Sequence, residues 1–159
     1  MATSSIVLRR ADDADLVATA RTLFREYAAS IGIDLEYQGF SAELAGLPAP
    51  YLAPDGALLV AFVDGSAAGC AALRRHDAQH GEMKRLYVRA AYRGLGLGVR
   101  LVDAIVGAAR AAGYAELRLD TLASMTAAQA LYRRFGFVEA PPYGDNHRPD
   151  TRFYALPLA

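Results

Sequence analysis

The chain has 159 residues, 53% hydrophobic and 21% charged, with 17 basic residues balanced by 17 acidic ones. That length suits one folded domain spanning residues 1–159, and the composition excludes a largely disordered chain. A zero net charge argues against nucleic acid as the main partner, and no apolar run reaches the roughly 18 residues needed to cross a membrane. The single cysteine, Cys70, rules out a disulfide within the chain and reads as a small buried thiol in the apolar run AAGCAAL. The N-terminus carries no apolar signal core, so a cytoplasmic protein is expected.

Ile6 to Arg10 reads as a short strand. Asp12 or Asp13 then offers a helix cap, and Leu16, Val17, Ala20, Leu23, Phe24 and Tyr27 recur at helical spacing, so a helix is expected over about 13–30. IDLEYQGF reads as irregular, SAELAGL as a short helix capped by Ser41, and PAPYLAP as irregular because three prolines fall in seven residues. Two apolar runs flank Asp64-Gly65, which predicts a hairpin of strands at about 57–63 and 66–76. A third strand is expected at about 81–88, a helix at 96–112 closed by Gly113, and a strand in AELRLDTL. TAAQALYRRFGF is a short helix, and FVEA and TRFYALPL are two last strands around the loop PPYGDNHRPD. The order is β-α-α-β-β-β-α-β-α-β-β. It predicts an α/β, or α+β layered, domain with a mixed, mostly antiparallel central sheet and helices on both faces.

The stretch YRGLGLG, residues 92 to 98, runs straight into the long helix. Glycines before a helix aim backbone N–H groups at a phosphate. A P-loop needs Gly-Lys-Ser/Thr, but Val99 and Arg100 follow Gly98. A dinucleotide fingerprint needs G-x-G-x-x-G, and neither register starting at Gly94 or Gly96 provides it. The third pattern is Arg93-x-x-Gly96-x-Gly98. It resembles the coenzyme A signature, [Q/R]-x-x-G-x-[G/A], of the GNAT acetyltransferase superfamily. AQALYRRFGF, with Tyr132, Gly136 and Phe137, is similar to that family's A-x-x-L-Y-x-x-x-G-F. The order of elements also matches, so the likeness covers nearly the whole chain. It implies the GNAT fold and acetyl-coenzyme A as cosubstrate, with no metal.

Elementary chemistry agrees with that ligand. The N–H groups of about Leu95 to Val99, Leu97 among them, lack intrahelical partners, the helix dipole adds positive charge, and Arg93 supplies a charge-assisted contact to a diphosphate. Glycine at 94, 96 and 98 keeps the backbone reachable.

Acyl transfer to an amine needs a base, an oxyanion donor and a hydrogen bond to the leaving thiolate. Glu82, eleven residues before Arg93, is the candidate base. The resemblance assigns Tyr132 to the sulfur. Plain core packing is the alternative, because Ala128, Leu131, Tyr132 and Phe135 share one helical face. The resemblance also places the pantetheine arm along Leu86, Tyr87 and Val88, where a backbone N–H serves as oxyanion donor. Relatives often carry asparagine seven residues before the tyrosine, where this chain has Met125, and Ser124 is the candidate substitute. Acceptor contacts are expected from Tyr27, Gln38, Tyr143 and Asn146, a mixture that suits a small polar amine. His76 and His80 bracket a turn and read as solvated. The alternatives are a non-catalytic acyl-coenzyme A sensor and a protein N-terminal or lysine acetyltransferase. A homodimer is compatible with the resemblance, although no feature fixes an interface.

Overall fold

A computed structural model describes residues 4–144 and 148–158. In chain order the elements are β1 (Ile6–Arg10), α1 (Ala14–Ile31), α2 (Phe40–Gly46), β2 (Ala57–Val63), β3 (Ser66–Arg75) and β4 (His80–Val88), then α3 (Leu97–Ala111), β5 (Glu116–Leu122), α4 (Thr126–Arg134), β6 (Val138–Glu139) and β7 (Thr151–Pro157). The strands form one sheet in the order β1-β2-β3-β4-β5-β7-β6. Every neighbouring pair is antiparallel except β4 and β5. The expected mixed, mostly antiparallel sheet is therefore present. Among the described residues, no helix is long and apolar enough to cross a membrane.

Local chemistry explains the boundaries. Asp13 caps α1 by accepting the Leu16 N–H at 2.8 Å, and Gly32 closes it at φ 66°. Asp64 and Gly65 both have positive φ, as a two-residue hairpin of matching twist requires. The short helix departs from expectation. α2 begins at Phe40 after Gly39, and Ser41 lies inside it, with its N–H and hydroxyl bonded to Glu36. The preceding Leu35–Gln38, read as irregular, forms one 3-10 turn.

The sheet divides two cores. α3 buries Leu97, Leu101, Val102, Ile105, Val106 and Ala109 against one face. α1 and α2 cover the other, where Leu23, Phe24 and Phe40 meet Val60, Cys70 and Ala72. Cys70 is buried as expected, and its thiol donates to the Arg85 carbonyl at 3.3 Å.

Two irregularities of β4 shape the functional region. Cys70 faces Tyr87 but Ala72 faces Lys84, so two steps along β3 match three along β4. This bulge holds Arg85 at φ 61°. It also breaks the alternation, so Arg85 points with Lys84 toward the α1 side. The second irregularity is a divergence. β4 and β5 pair only from His80↔Glu116 to Glu82↔Arg118, although β4 continues to Val88 and β5 to Leu122.

Candidate active site

The divergence of β4 and β5 opens a gap through the sheet. On one side lies a groove of about 450 Å³, bordered by Leu86, Tyr87 and Val88 on β4 and by Ser124, Met125 and Leu131 opposite. Arg93 and Gly98 line the same groove, which brings it to the glycine loop.

The loop's glycines serve two different purposes. Gly94 and Gly96 sit at φ 85° and 80°, with nothing within 4 Å of an added Cβ, so backbone conformation requires them. Gly98 has ordinary helical φ, and its added Cβ would stand 3.1 Å from Leu131 Cδ2 on α4. It allows α4 to approach α3. The first helical bond runs from the Arg100 N–H to the Gly96 carbonyl, which leaves the N–H groups of Leu97, Gly98 and Val99 at the open helix end. The Leu97 side chain is core, so of that residue only the backbone faces a ligand. Leu95 and Val99 project outward.

At the opposite end of the gap is a cavity of about 260 Å³ lined by Tyr37, Gln38, Arg74, His76, Glu82, Lys84, Asp120, Tyr143 and Gly144. Glu82 is only 5% exposed. Arg74 stands directly across the β3–β4 ladder, its Nε 3.0 Å from Glu82 Oε1. That distance makes an ion pair, but the N–H is not aligned as a hydrogen bond. Tyr143 donates its hydroxyl to Glu82 Oε2 at 2.8 Å. The Tyr143 ring packs edge-on to His76 and Phe153, with the Arg118 guanidinium 5.4 Å away. Burial, reinforced by the Glu82 charge, holds the Tyr143 phenol well above its ordinary pKa, so it stays a donor.

A narrow inner cavity lies between the two ends. It shares Tyr37, Gln38, Lys84 and Asp120 with the Glu82 cavity, and Tyr27, Ile31, Leu86 and Met125 with the groove. Tyr132 lines it as well. Tyr132 packs as the core alternative expects, with its hydroxyl left available. Its ring packs on Phe137 and Tyr154 as core, while its hydroxyl has no hydrogen-bond partner among the described residues. Burial raises its pKa above the ordinary phenol value. Tyr27 lies half-buried beside Tyr87, with the Arg85 guanidinium 5.9 Å from its ring centroid.

Gln38 lines the cavity, where it accepts from Lys84 Nζ at 3.2 Å and donates to the Tyr37 hydroxyl. Ser124 lies exposed at the groove edge. Met125 sits deeper, its sulfur accepting the Thr121 hydroxyl at 3.6 Å. Asn146 lies outside the described residues.

His76 and His80 correct the reading of a solvated turn. His76 is half-buried against Tyr143, and His80 binds Asp77 at 2.7 Å and Arg118 at 3.0 Å. Arg74, Lys84 and Asp120 were not expected in the site. Period-two alternation puts Lys84 on the face of Glu82, and this is the one signal that pointed to it.

Beneath the cavity, Arg85 forms a two-point ion pair with Glu43, Nε to Oε2 at 3.0 Å and a terminal nitrogen to Oε1 at 2.7 Å. The Arg85 side chain is 2% exposed. Burial alone would raise the Glu43 pKa, but the Arg85 hydrogen bonds and charge outweigh it and leave the carboxyl below its ordinary range. Tyr51 donates to the same carboxylate at 2.9 Å. The pair ties the bulge to α2.

Residues 15–137 match the family model described as the acetyltransferase (GNAT) family. An uncharacterised N-acetyltransferase of Schizosaccharomyces pombe is 39% identical over 141 residues, covering 87% of this chain and 86% of that protein. A GNAT-family acetyltransferase from Staphylococcus aureus Mu50 has a similar structure, with TM-score 0.79 at 22% identity, covering 98% of this chain and all of that one. So does a Salmonella typhimurium protein solved with its cofactor acetyl-CoA, with TM-score 0.68 at 20% identity, covering 97% of this chain and 94% of that one.

Proposed function

The chain belongs to the GNAT family of N-acetyltransferases, and on that premise we propose that it transfers the acetyl group of acetyl-coenzyme A to the primary amine of a small polar molecule by direct attack. The observation that carries this reading is the row of adjoining cavities that leads from the glycine loop, along the β4–β5 gap, to the buried carboxylate of Glu82. Unpaired N–H groups at the start of α3, with Arg93 beside them, suit a diphosphate. The diverged edge of β4 suits a pantetheine arm laid alongside as an extra strand.

Bound acetyl-coenzyme A supplies the thioester carbonyl that the amine attacks. Glu82 accepts the amine proton as the C–N bond forms and the C–S bond breaks. A backbone N–H along Leu86–Val88 faces the charge that develops on the carbonyl oxygen. Tyr132 hydrogen-bonds the departing sulfur. It shares its proton rather than ionising, since a thiol ordinarily titrates near 8.5, below even an unperturbed phenol near 10.

The test is thiol release from acetyl-coenzyme A across a panel of amines. Tyr132→Phe keeps the core ring and removes only the donor. It is expected to lower kcat by about 10- to 100-fold with little change in coenzyme KM, as befits one hydrogen bond to a charged group. An unchanged kcat would make Tyr132 core alone. Gly98→Leu fills the groove mouth and crowds Leu131, and calorimetry is expected to show coenzyme A affinity at least about tenfold weaker. Tight coenzyme binding with no turnover on any amine would instead identify a sensor.

A further inference from the structure

We infer that the acceptor carries a carboxylate as well as its amine, as an amino acid does, and that Lys84 holds that carboxylate. The inference rests on the acetyl-transfer reading above and names the substrate class of the same site.

The Glu82 cavity contains two cations and two acids. Arg74 is neutralised by Glu82 at 3.0 Å. Lys84 is not neutralised in this way. Its ammonium meets the neutral Gln38 amide at 3.2 Å and forms no ion pair with a carboxylate among the described residues. Glu43 is nearby in charge, but both its oxygens are engaged by Arg85, and Tyr51 adds a third contact. Lys84 is half-buried. A cation withdrawn from water without an ion-pair partner is costly, and an incoming anion relieves that cost.

The spacing fits a small zwitterion. Glu82 and Lys84 stand two residues apart on one face of β4, a separation of about 7 Å along the strand. An amine turned toward Glu82 leaves the adjoining carboxylate toward Lys84. A plain amine would bring nothing to Lys84, and a polypeptide N-terminus offers an amide where the carboxylate is needed. A cavity of about 260 Å³ has room for an amino acid.

The experiment uses matched triplets: an α-amino acid, its primary amide and the amine left when the carboxylate is removed. Thiol release is measured for the intact protein, Lys84→Gln and Lys84→Arg. In parallel, calorimetry measures binding of each compound to the coenzyme A-loaded protein. The expected result is a preference of about 30-fold or more in kcat/KM for at least one amino acid over its amide, expressed mainly in KM. Lys84→Gln abolishes the preference and Lys84→Arg retains part of it. Equal use of acids, amides and bare amines overturns the inference, as does a preference that survives Lys84→Gln. If no amine of any kind is acetylated, the transfer reading fails, and calorimetry still decides this one. Absence of Lys84-dependent binding of the amino acid overturns it.

Discussion

Glu82→Gln is expected to lower kcat on the preferred amine by roughly 10²- to 10⁴-fold, the range for removing a positioned general base. Coenzyme A affinity, measured by calorimetry, should stay within about twofold, because Glu82 is absent from the groove that runs to the glycine loop. The substitution is nearly isosteric. The amide still bonds the Tyr143 hydroxyl, which in the parent donates to Oε2 at 2.8 Å. Arg74 loses its counter-charge, but the amide oxygen still faces its buried Nε and the rest of its side chain, 39% exposed overall, stays hydrated. A fall in kcat without a fall in melting temperature therefore reports proton transfer rather than unfolding. Tyr143→Phe should have a smaller effect, about tenfold, since it removes one hydrogen bond on the carboxylate and leaves Arg74 in place. Glu82→Gln activity above half that of the parent enzyme would assign the proton to another group or to ordered water.

The parts legible in the sequence are those encoded by neighbours in the chain. Asp64-Gly65 specifies its own turn because both positions need positive φ. Asp13 caps α1 through a hydrogen bond three residues long. The glycines before α3 announce an open helix end wherever that helix packs. The unread parts depend on register. MKRLYV looks like regular alternation, and nothing in it announces a bulge at Arg85, a non-glycine residue held at φ 61°. That conformation is uncommon and is sustained by contacts from far along the chain, chiefly Glu43. Without the bulge, the joint placement of Lys84 and Arg85 on one side of the sheet could not be anticipated. Arg74 joins the site only because the β3–β4 ladder sets it opposite Glu82. The early start of α2 has a similar cause. Glu36, from the turn before it, bonds Ser41, which was expected to cap the helix from its own side chain.

Removing one member of the Arg85–Glu43 pair is expected to destabilise the protein by about 3–5 kcal/mol, and removing both together by much less. The asymmetry follows from burial. The two side chains are 2% and 11% exposed, so Glu43→Ala leaves a guanidinium with neither water nor counter-charge. Phe40 and Tyr27, whose ring centroids lie 5.2 and 5.9 Å from the guanidinium carbon, offset only a part of that loss. For a chain of this size the single variant should melt about 10 °C or more lower, while Glu43→Leu combined with Arg85→Met should recover most of the difference. The same pair predicts a pH dependence. Glu43 titrates lower in the folded state than its ordinary value of 4.5, so its contribution is complete above that value and is lost as pH falls through the depressed folded one. Urea denaturation from pH 7 down to about 3 should therefore show a steeper acid decline for the parent protein than for Glu43→Gln. Equal slopes would mean that the pair does not contribute through its charge. Because Arg85 occupies the bulge itself, its anchor also fixes where Lys84 and Leu86 stand relative to the gap. Activity per folded molecule should then fall in Glu43→Gln even at temperatures well below its melting point, an effect that loss of stability alone does not produce.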